Sequence, residues 1–223
     1  MSAHKILRTL LVLAGLAPIA ACLAAGSAIT GRVVGADGKA IANAVVFVQD
    51  STDSPPAAAA RTATMDQFNK TFVPGVLPVV VGTQVRFPNK DQIRHHVYSF
   101  SRAKRFELPL YKGEEAAPVL FDKPGVVTIG CNIHDWMSAT ILVVPNTHYA
   151  MTDADGKFEL TGLAPGTYTL IAWHAQSRDK AENIAQRVEV AANGVTSAVD
   201  IAFTLSLAPV RARPATRGSR WNE

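Results

Sequence analysis

Apolar and polar positions alternate with a period of two along most of this chain, the pattern of strands with one buried face. Ile29-Thr-Gly-Arg-Val-Val and Ala44-Val-Val-Phe-Val flank Ala36-Asp37-Gly38-Lys39, which predicts strand, turn, strand, with Asp37-Gly38 supplying the turn chemistry. Short runs then recur at Val79-Val-Val, Gln84-Val-Arg-Phe, His96-Val-Tyr-Ser-Phe, Phe106-Glu-Leu-Pro-Leu, Gly125-Val-Val-Thr-Ile and Thr140-Ile-Leu-Val-Val. Four more strands with tight turns follow, within 152–160, 162–174, 187–190 and 199–205. No stretch of helical length is convincingly amphipathic, and 175–186 is polar enough to read as a loop. Many short strands with regular turn signals predict an all-β sandwich or barrel.

The two ends break this pattern. Lys5 and Arg8 precede an apolar stretch from Leu10 to Ala21, and small residues follow, so residues 1–28 read as an export signal. Cleavage after Ala28 would release a strand beginning at Ile29. Ile19-Ala-Ala-Cys22 also resembles a bacterial lipobox, in which Cys22 would carry lipid and anchor the protein to a membrane. The chain carries 22 basic and 18 acidic residues, and losing Lys5 and Arg8 leaves a charge of about +2. Residues 206–223, with Arg211, Arg213, Arg217 and Arg220, show no periodicity and read as a disordered basic tail. No basic face is interleaved with aromatics, so nothing points to nucleic acid.

Cys22 and Cys131 are the two cysteines, so an exported chain cut after Ala28 keeps a single thiol and cannot be a disulfide scaffold. Cys131 opens the run Cys131-Asn-Ile-His134-Asp-Trp-Met137. That spacing sets a thiolate, an imidazole and a thioether in one short loop. A further imidazole lies upstream in His95-His96, where strand alternation lets only one of the two rings face a given side. Two histidines and a cysteine with a weak axial methionine form the ligand set of an electron-transfer copper site. His148 and His174 read as surface or interdomain residues. No Ser/His/Asp set or paired carboxylates have acid–base spacing, and Asp153 and Asp155 are explained by their turn.

Asp155-Gly-Lys-Phe-Glu-Leu and Leu163-Ala-Pro-Gly-Thr-Tyr-Thr-Leu resemble the carboxypeptidase regulatory-like, or transthyretin-like, β-sandwich. The opening motif of that family resembles residues 30–48. The resemblance implies a sandwich split between residues 29–49 and 149–205, with 50–63 as linker and 64–146 as an inserted second domain. The rival layout is two domains in tandem.

Residues 72–144 resemble the cupredoxins, particularly their plastocyanin and amicyanin branch, whose short ligand loop has the same C-x-x-H-x-x-M spacing. Val85-Arg-Phe-Pro-Asn-Lys-Asp-Gln-Ile-Arg-His95-His-Val-Tyr-Ser resembles the upstream ligand segment of that family. The resemblance implies a Greek-key sandwich with one copper ion held by His95, Cys131, His134 and Met137. It also makes the ring edge of His134 the electron portal, with Ile133 and Trp136 as an apolar docking patch. Two positions depart from the family: His96 stands where Asn is common, and Ile129 where an aromatic is common. The whole layout is similar to bacterial methylamine utilization proteins, a name that need not imply methylamine as substrate.

The expectation is a periplasmic, non-enzymatic electron carrier with protein redox partners, touching a membrane only if Cys22 is lipidated. Copper binding for delivery and a non-redox structural or ligand-binding sandwich are the alternatives. The scarcity of methionine, with Met1, Met65, Met137 and Met151 only, sets the chain apart from methionine-rich copper transporters.

Overall fold

The computed structural model describes residues 27–50, 61–113, 116–178, 184–191 and 201–207. The expected export signal with Cys22, most of the linker and the basic tail lie outside the described residues. Everything regular among the described residues is strand; no helix there is long and apolar enough to cross a membrane. The N-terminal flank contributes β1 (Ser27–Gly35) and β2 (Val45–Val48). The middle holds β3 (Thr62–Thr64), β4 (Asp66–Gln67), β5 (Phe72–Val73), β6 (Val76–Val80), β7 (Thr83–Arg86), β8 (His95–Phe100), β9 (Arg105–Tyr111), β10 (Val119–Phe121), β11 (Gly125–Gly130) and β12 (Ser138–Val144). The C-terminal flank adds β13 (Tyr149–Met151), β14 (Lys157–Leu163), β15 (Gly166–Trp173), β16 (Ala185–Val190) and β17 (Ile201–Leu205).

The flanks pair with each other. β1 lies between β14 and β17, and β2 lies between β13 and β15, with β16 beyond. Ile29, Val33, Phe158, Leu160, Phe203 and Leu205 from the first sheet pack against Val46, Val48, Leu170, Val188 and Val190 from the second. Each such side chain taken out of water contributes roughly 1.5–3 kcal/mol. Two buried polar residues tie this sandwich together. Thr152 Oγ1 accepts from the Ala44 N–H at 2.9 Å and donates to the Ile41 carbonyl at 2.7 Å, and Asn146 Nδ2 donates to the Val48 carbonyl at 2.9 Å.

The turn at Asp37-Gly38 forms, with Gly38 in the left-handed region (φ 77°) and its N–H donating to the Gly35 carbonyl at 2.9 Å. It does not make the simple hairpin expected. It closes only an isolated bridge between Val34 and Ala40, after which the chain crosses the core and β2 joins the opposite sheet. The reason is burial: Ile29 and Val33 already face the core from one side, and Val46 and Val48 cover them from the other.

The middle segment builds its own core between the three-stranded sheet β10-β7-β3 and the five-stranded sheet β6-β12-β11-β8-β9. β11 and β12 are antiparallel with Val127 opposite Ile141 and Ile129 opposite Ala139, so four apolar side chains enter the core as two cross-strand pairs. β12 changes character along its length. Ala139, Ile141 and Val143 face this core, whereas Leu142 and Val144 pack on the outer side against Val45, with Phe47 and Trp173 beside them. A strand buried on both faces reads as a continuous apolar run, and Ile141-Leu-Val-Val144 is that run.

Candidate metal centre

Alternation along β11 turns Val127, Ile129 and then Cys131 inward, and β8 likewise turns His95, Val97 and Ser99 inward while His96 faces outward. β9 accommodates the site end of β8 with a bulge: His95 pairs with Tyr111 but Val97 with Leu108, so Pro109 and Leu110 both oppose His96. Pro109 lacks an N–H, which suits an unpaired bulge position on this edge strand. The loop from Cys131 to Met137 is closed by its own backbone. The Cys131 N–H donates to the Met137 carbonyl at 3.1 Å and the Met137 N–H donates to the His134 carbonyl at 2.8 Å.

This register brings three of the expected residues to one point. The ligand atoms of His95, Cys131 and His134 all lie within 4.8 Å of one another. Cys131 Sγ stands 4.0 Å from His95 Nδ1 and 3.8 Å from His134 Nδ1. Met137 is buried in the same loop, and both Cys131 and Met137 border the same surface groove. His96 is not part of the cluster; its Nε2 meets Glu107 Oε1 at 2.8 Å on the other face of the sheet. Among the described residues, His148 and His174 do not join it either. Trp136 lies against His134, ring centroids 5.4 Å apart, with 44% of its surface exposed.

The surroundings prepare this cluster to hold a cation. His95 is fully buried, and its Nε2 donates to Asp91 Oδ2 at 2.7 Å. A carboxylate on Nε2 fixes the tautomer with its proton there, which leaves the Nδ1 lone pair facing Cys131. Asp91 is itself held by the N–H groups of Asn69 at 2.7 Å and Lys70 at 2.8 Å, two consecutive residues in the left-handed region. Burial works to raise the Asp91 pKa, but the bonds from Lys70, His95 and Asn69 outweigh it and hold the carboxyl below its ordinary value. Asn89 steadies this segment by donating to the Ile93 carbonyl at 2.9 Å and the Tyr111 carbonyl at 3.0 Å while accepting from the Asp91 N–H.

His134 is half-buried, and its pKa is lowered by burial, then by repulsion from His95 and Lys70, with Asp91 opposing. The neutral imidazole that a metal requires is therefore the favoured form. Below the site, Tyr111 donates to the Phe87 carbonyl, and its hydroxyl is pushed up to about 12 by burial, with the Gln67 hydrogen bond opposing and the Cys131 charge adding.

The donor spacing fits one small ion. Typical lengths of about 2.3 Å to thiolate and about 2.0 Å to imidazole nitrogen separate S and N by about 3.7 Å at a trigonal angle and about 3.5 Å at a tetrahedral one. The observed 3.8 and 4.0 Å lie a few tenths of an ångström beyond both, close enough for one ion to draw the three donors together. A trigonal His₂Cys set is the arrangement favoured by electron-transfer copper, whereas structural zinc closes a tetrahedron. The supporting roles of Asp91, Asn89 and Tyr111 were not legible from residue types alone; the one signal was that Asp91 stands four residues before His95.

No family model matches this chain, and no curated protein matches it. Among solved structures it is similar to a copper-containing nitrite reductase from Thermus scotoductus SA-01, at 28% identity over 40% of this chain and 25% of that one, with a TM-score of 0.35. The aligned part thus spans about a quarter of the nitrite reductase. A purple cupredoxin from Nitrosopumilus maritimus aligns at 22% identity over 37% of this chain and 98% of its own, with a TM-score of 0.33. An amicyanin mutant in its reduced state aligns at 22% identity, covering 45% of this chain and 98% of its own, also with a TM-score of 0.33.

Proposed function

We propose that this chain is an exported, mononuclear copper protein of the cupredoxin type that carries single electrons between protein redox partners. The observation that carries the reading is the His95–Cys131–His134 cluster, with both Nδ1 atoms directed at one sulfur and the outer nitrogen of His95 fixed by Asp91. His95, Cys131, His134 and Met137 would hold the ion. Copper bound there supplies one-electron chemistry between its two common oxidation states.

The residues do the rest. Asp91 and the loop bond from the Cys131 N–H to the Met137 carbonyl keep the donors in place through both states, so little rearrangement accompanies transfer. Burial of Cys131 and Met137 excludes water from the donor atoms. His134 is the least buried donor, flanked by the exposed Ile133 and Trp136, which favours its ring edge as the place where electrons enter and leave. The reading places the site in a carrier and not an enzyme, since Met137, buried in the same loop, would leave no open position for a substrate.

The pairing of β1 and β2 with β13, β14, β15 and β17 supports a split regulatory-like sandwich carrying residues 64–146 as an insertion. The export pattern at residues 1–28 supports a periplasmic location. The test is a visible spectrum of the purified chain after addition of Cu(II). An intense thiolate-to-copper charge-transfer band, lost in Cys131→Ser, is the expected result. A colourless chain that binds only Cu(I) would move the assignment to copper delivery.

A further inference from the structure

The turn that joins β4 to β5 is strained and its donors are committed. Asn69 and Lys70, its two central residues, both lie in the left-handed region, with φ 52° and 54°. Phe68 and Thr71 close it by exchanging backbone bonds of 2.9 and 3.1 Å. A turn of this kind favours glycine at its second central position, and Lys70 stands there instead. Both central N–H groups go to one carboxylate: Asn69 donates to Asp91 Oδ1 at 2.7 Å and Lys70 to Asp91 Oδ2 at 2.8 Å. Successive N–H groups in a turn form an anion-binding concavity, and here the anion is a side chain of the same chain.

That anion is held ionised without being cancelled. Asp91 Oδ2 also accepts from His95 Nε2 at 2.7 Å. The Asp91 side chain is 11% exposed and that of His95 not at all, so little water screens the pair. Among the described residues Asp91 pairs with no lysine or arginine; Lys90, next to it, turns to Asp66 at 2.6 Å. Two N–H dipoles and one imidazole therefore share a full negative charge. Its field also reaches His134, where it opposes burial, His95 and Lys70.

His95 does not need a charge to stay in place. Its backbone is paired with Tyr111 across β9 and its ring is enclosed, so a neutral acceptor on Nε2 would fix the tautomer equally well. Position helps both oxidation states of a bound copper alike, whereas charge does not. The cupric and cuprous forms of one donor set differ by one positive charge, so a fixed anion favours the cupric form. A carboxylate on the far nitrogen also raises the basicity of the ligating imidazole, which acts in the same direction.

Resting on the copper reading above, we propose that Asp91 is a positioning residue whose charge tunes the centre: acting through the Nε2–H of His95, it favours the cupric state and lowers the reduction potential below what the four donors alone would give. One electron arrives from a reduced protein partner and later leaves to an oxidised one. No bond breaks, and the proton stays on His95 Nε2 in both states.

The test uses the full chain at neutral pH, with Cu(II) and Cu(I) affinities measured separately by chelator competition and the potential by redox titration. Asp91→Asn is expected to weaken Cu(II) binding about tenfold more than Cu(I) binding, which raises the potential by about 59 mV. Asp91→Glu keeps the charge and is expected to restore most of that shift, even where both affinities fall. Equal losses for the two ions in Asp91→Asn, or a potential in Asp91→Glu like that of Asp91→Asn, would overturn the proposal, because either result reduces Asp91 to holding the ring. Lys70→Asn decides the matter should Asp91→Asn fail to fold. It retains the N–H donated to Asp91, suits the left-handed backbone and removes an exposed positive charge. Its potential is expected to fall, by less at high salt; a potential that does not fall would show that charge here is not sensed, and would overturn the proposal. The metal-free chain separates this inference from the reading beneath it. There the His95 Nε2–H is expected as a far-downfield proton resonance that Asp91→Asn abolishes. That resonance in a chain without a thiolate–copper band overturns the copper reading and the tuning with it; the band together with equal losses overturns the tuning alone.

Discussion

The two cores of this molecule are made of the same material and differ in what they do with buried polar groups. In the flanking sandwich, Thr152 and Asn146 are buried in order to satisfy backbone groups that the sheets leave unpaired. In the middle sandwich, His95 is buried with one nitrogen satisfied by Asp91 and the other aimed at Cys131 and away from any backbone partner. Buried polar atoms that close the ladder belong to the fold. Buried polar atoms that converge on a shared point, each with its far side fixed, belong to chemistry. The comparison separates the two uses without reference to residue conservation.

The largest expected effect is one that should not cross between the cores. Phe203 is buried beside Phe158, with ring centroids 6.1 Å apart, in the flanking sandwich. Phe203→Ala is expected to cost about 3–5 kcal/mol of unfolding free energy, measured by urea titration. Copper affinity of the folded fraction should be unchanged. Loss of copper binding with the fold intact would mean that the flanking sandwich shapes the metal centre through the layer of Leu142 and Val144.

A smaller effect tests the ladder side of the comparison. Thr152→Val removes a donor and an acceptor at one buried point, leaving the Ala44 N–H and the Ile41 carbonyl without that partner. The expected cost is roughly 1–3 kcal/mol, read from thermal or urea unfolding, and again the copper spectrum should not move.

How much of this could be read in advance follows the same division. Cys131 and His134 share a loop between two alternating runs, and that was plain from spacing, because a period of two pins register wherever one face is buried. His95 joins them through the same rule, since the alternation that turns Val97 inward also turns His95 inward. The all-β class was equally plain. β3, β4, β5, β10 and β13 were not, because elements of two or three residues are too short to show a period. The crossing between β1 and β2 was hidden, since an Asp-Gly turn has the same local chemistry whether it makes a hairpin or a bridge. Asp91 was hidden for another reason: a loop carboxylate looks solvated until its partners, the N–H groups of Asn69 and Lys70, are brought from another strand pair.

Asp91→Asn tests the converging side. An amide can still occupy the site but loses the charge that fixes the His95 proton, and losses of this kind typically weaken metal binding about 10–100-fold. The measurement is competitive copper titration, with the position of the thiolate–copper band as a second readout. The copper-free chain gives an independent check by pH. The Asp91 carboxyl titrates below its ordinary value, so the folded state binds its proton less readily than the unfolded chain does. Its contribution to stability is therefore present above the ordinary carboxylate pKa and is lost as pH falls through the folded-state value. Asp91→Asn should remove that part of the acid limb and make it shallower, with Asp37 and Asp122, whose carboxyls are also held below their ordinary values, contributing the remainder; an acid limb identical to the parent chain would show that Asp91 is not the group responsible.

The smallest expected change in stability sharpens the comparison most. Trp136 lies in the metal-binding loop with 44% of its surface exposed, and its main ring neighbour is His134. If it were part of a core, truncation would cost several kcal/mol; as a surface ring, Trp136→Ala should stay within about 0.5 kcal/mol of the parent chain. The copper band should also persist, because the donors are fixed by Asp91 and by the backbone closure of the loop. What should fall is electron exchange at the His134 edge, measured as the self-exchange rate of the reduced and oxidised forms by NMR line broadening, while copper affinity stays the same. A variant that also binds copper more weakly would place Trp136 in the support of the site; one slowed in exchange alone shows that a large apolar residue beside a buried cluster can serve contact and not stability.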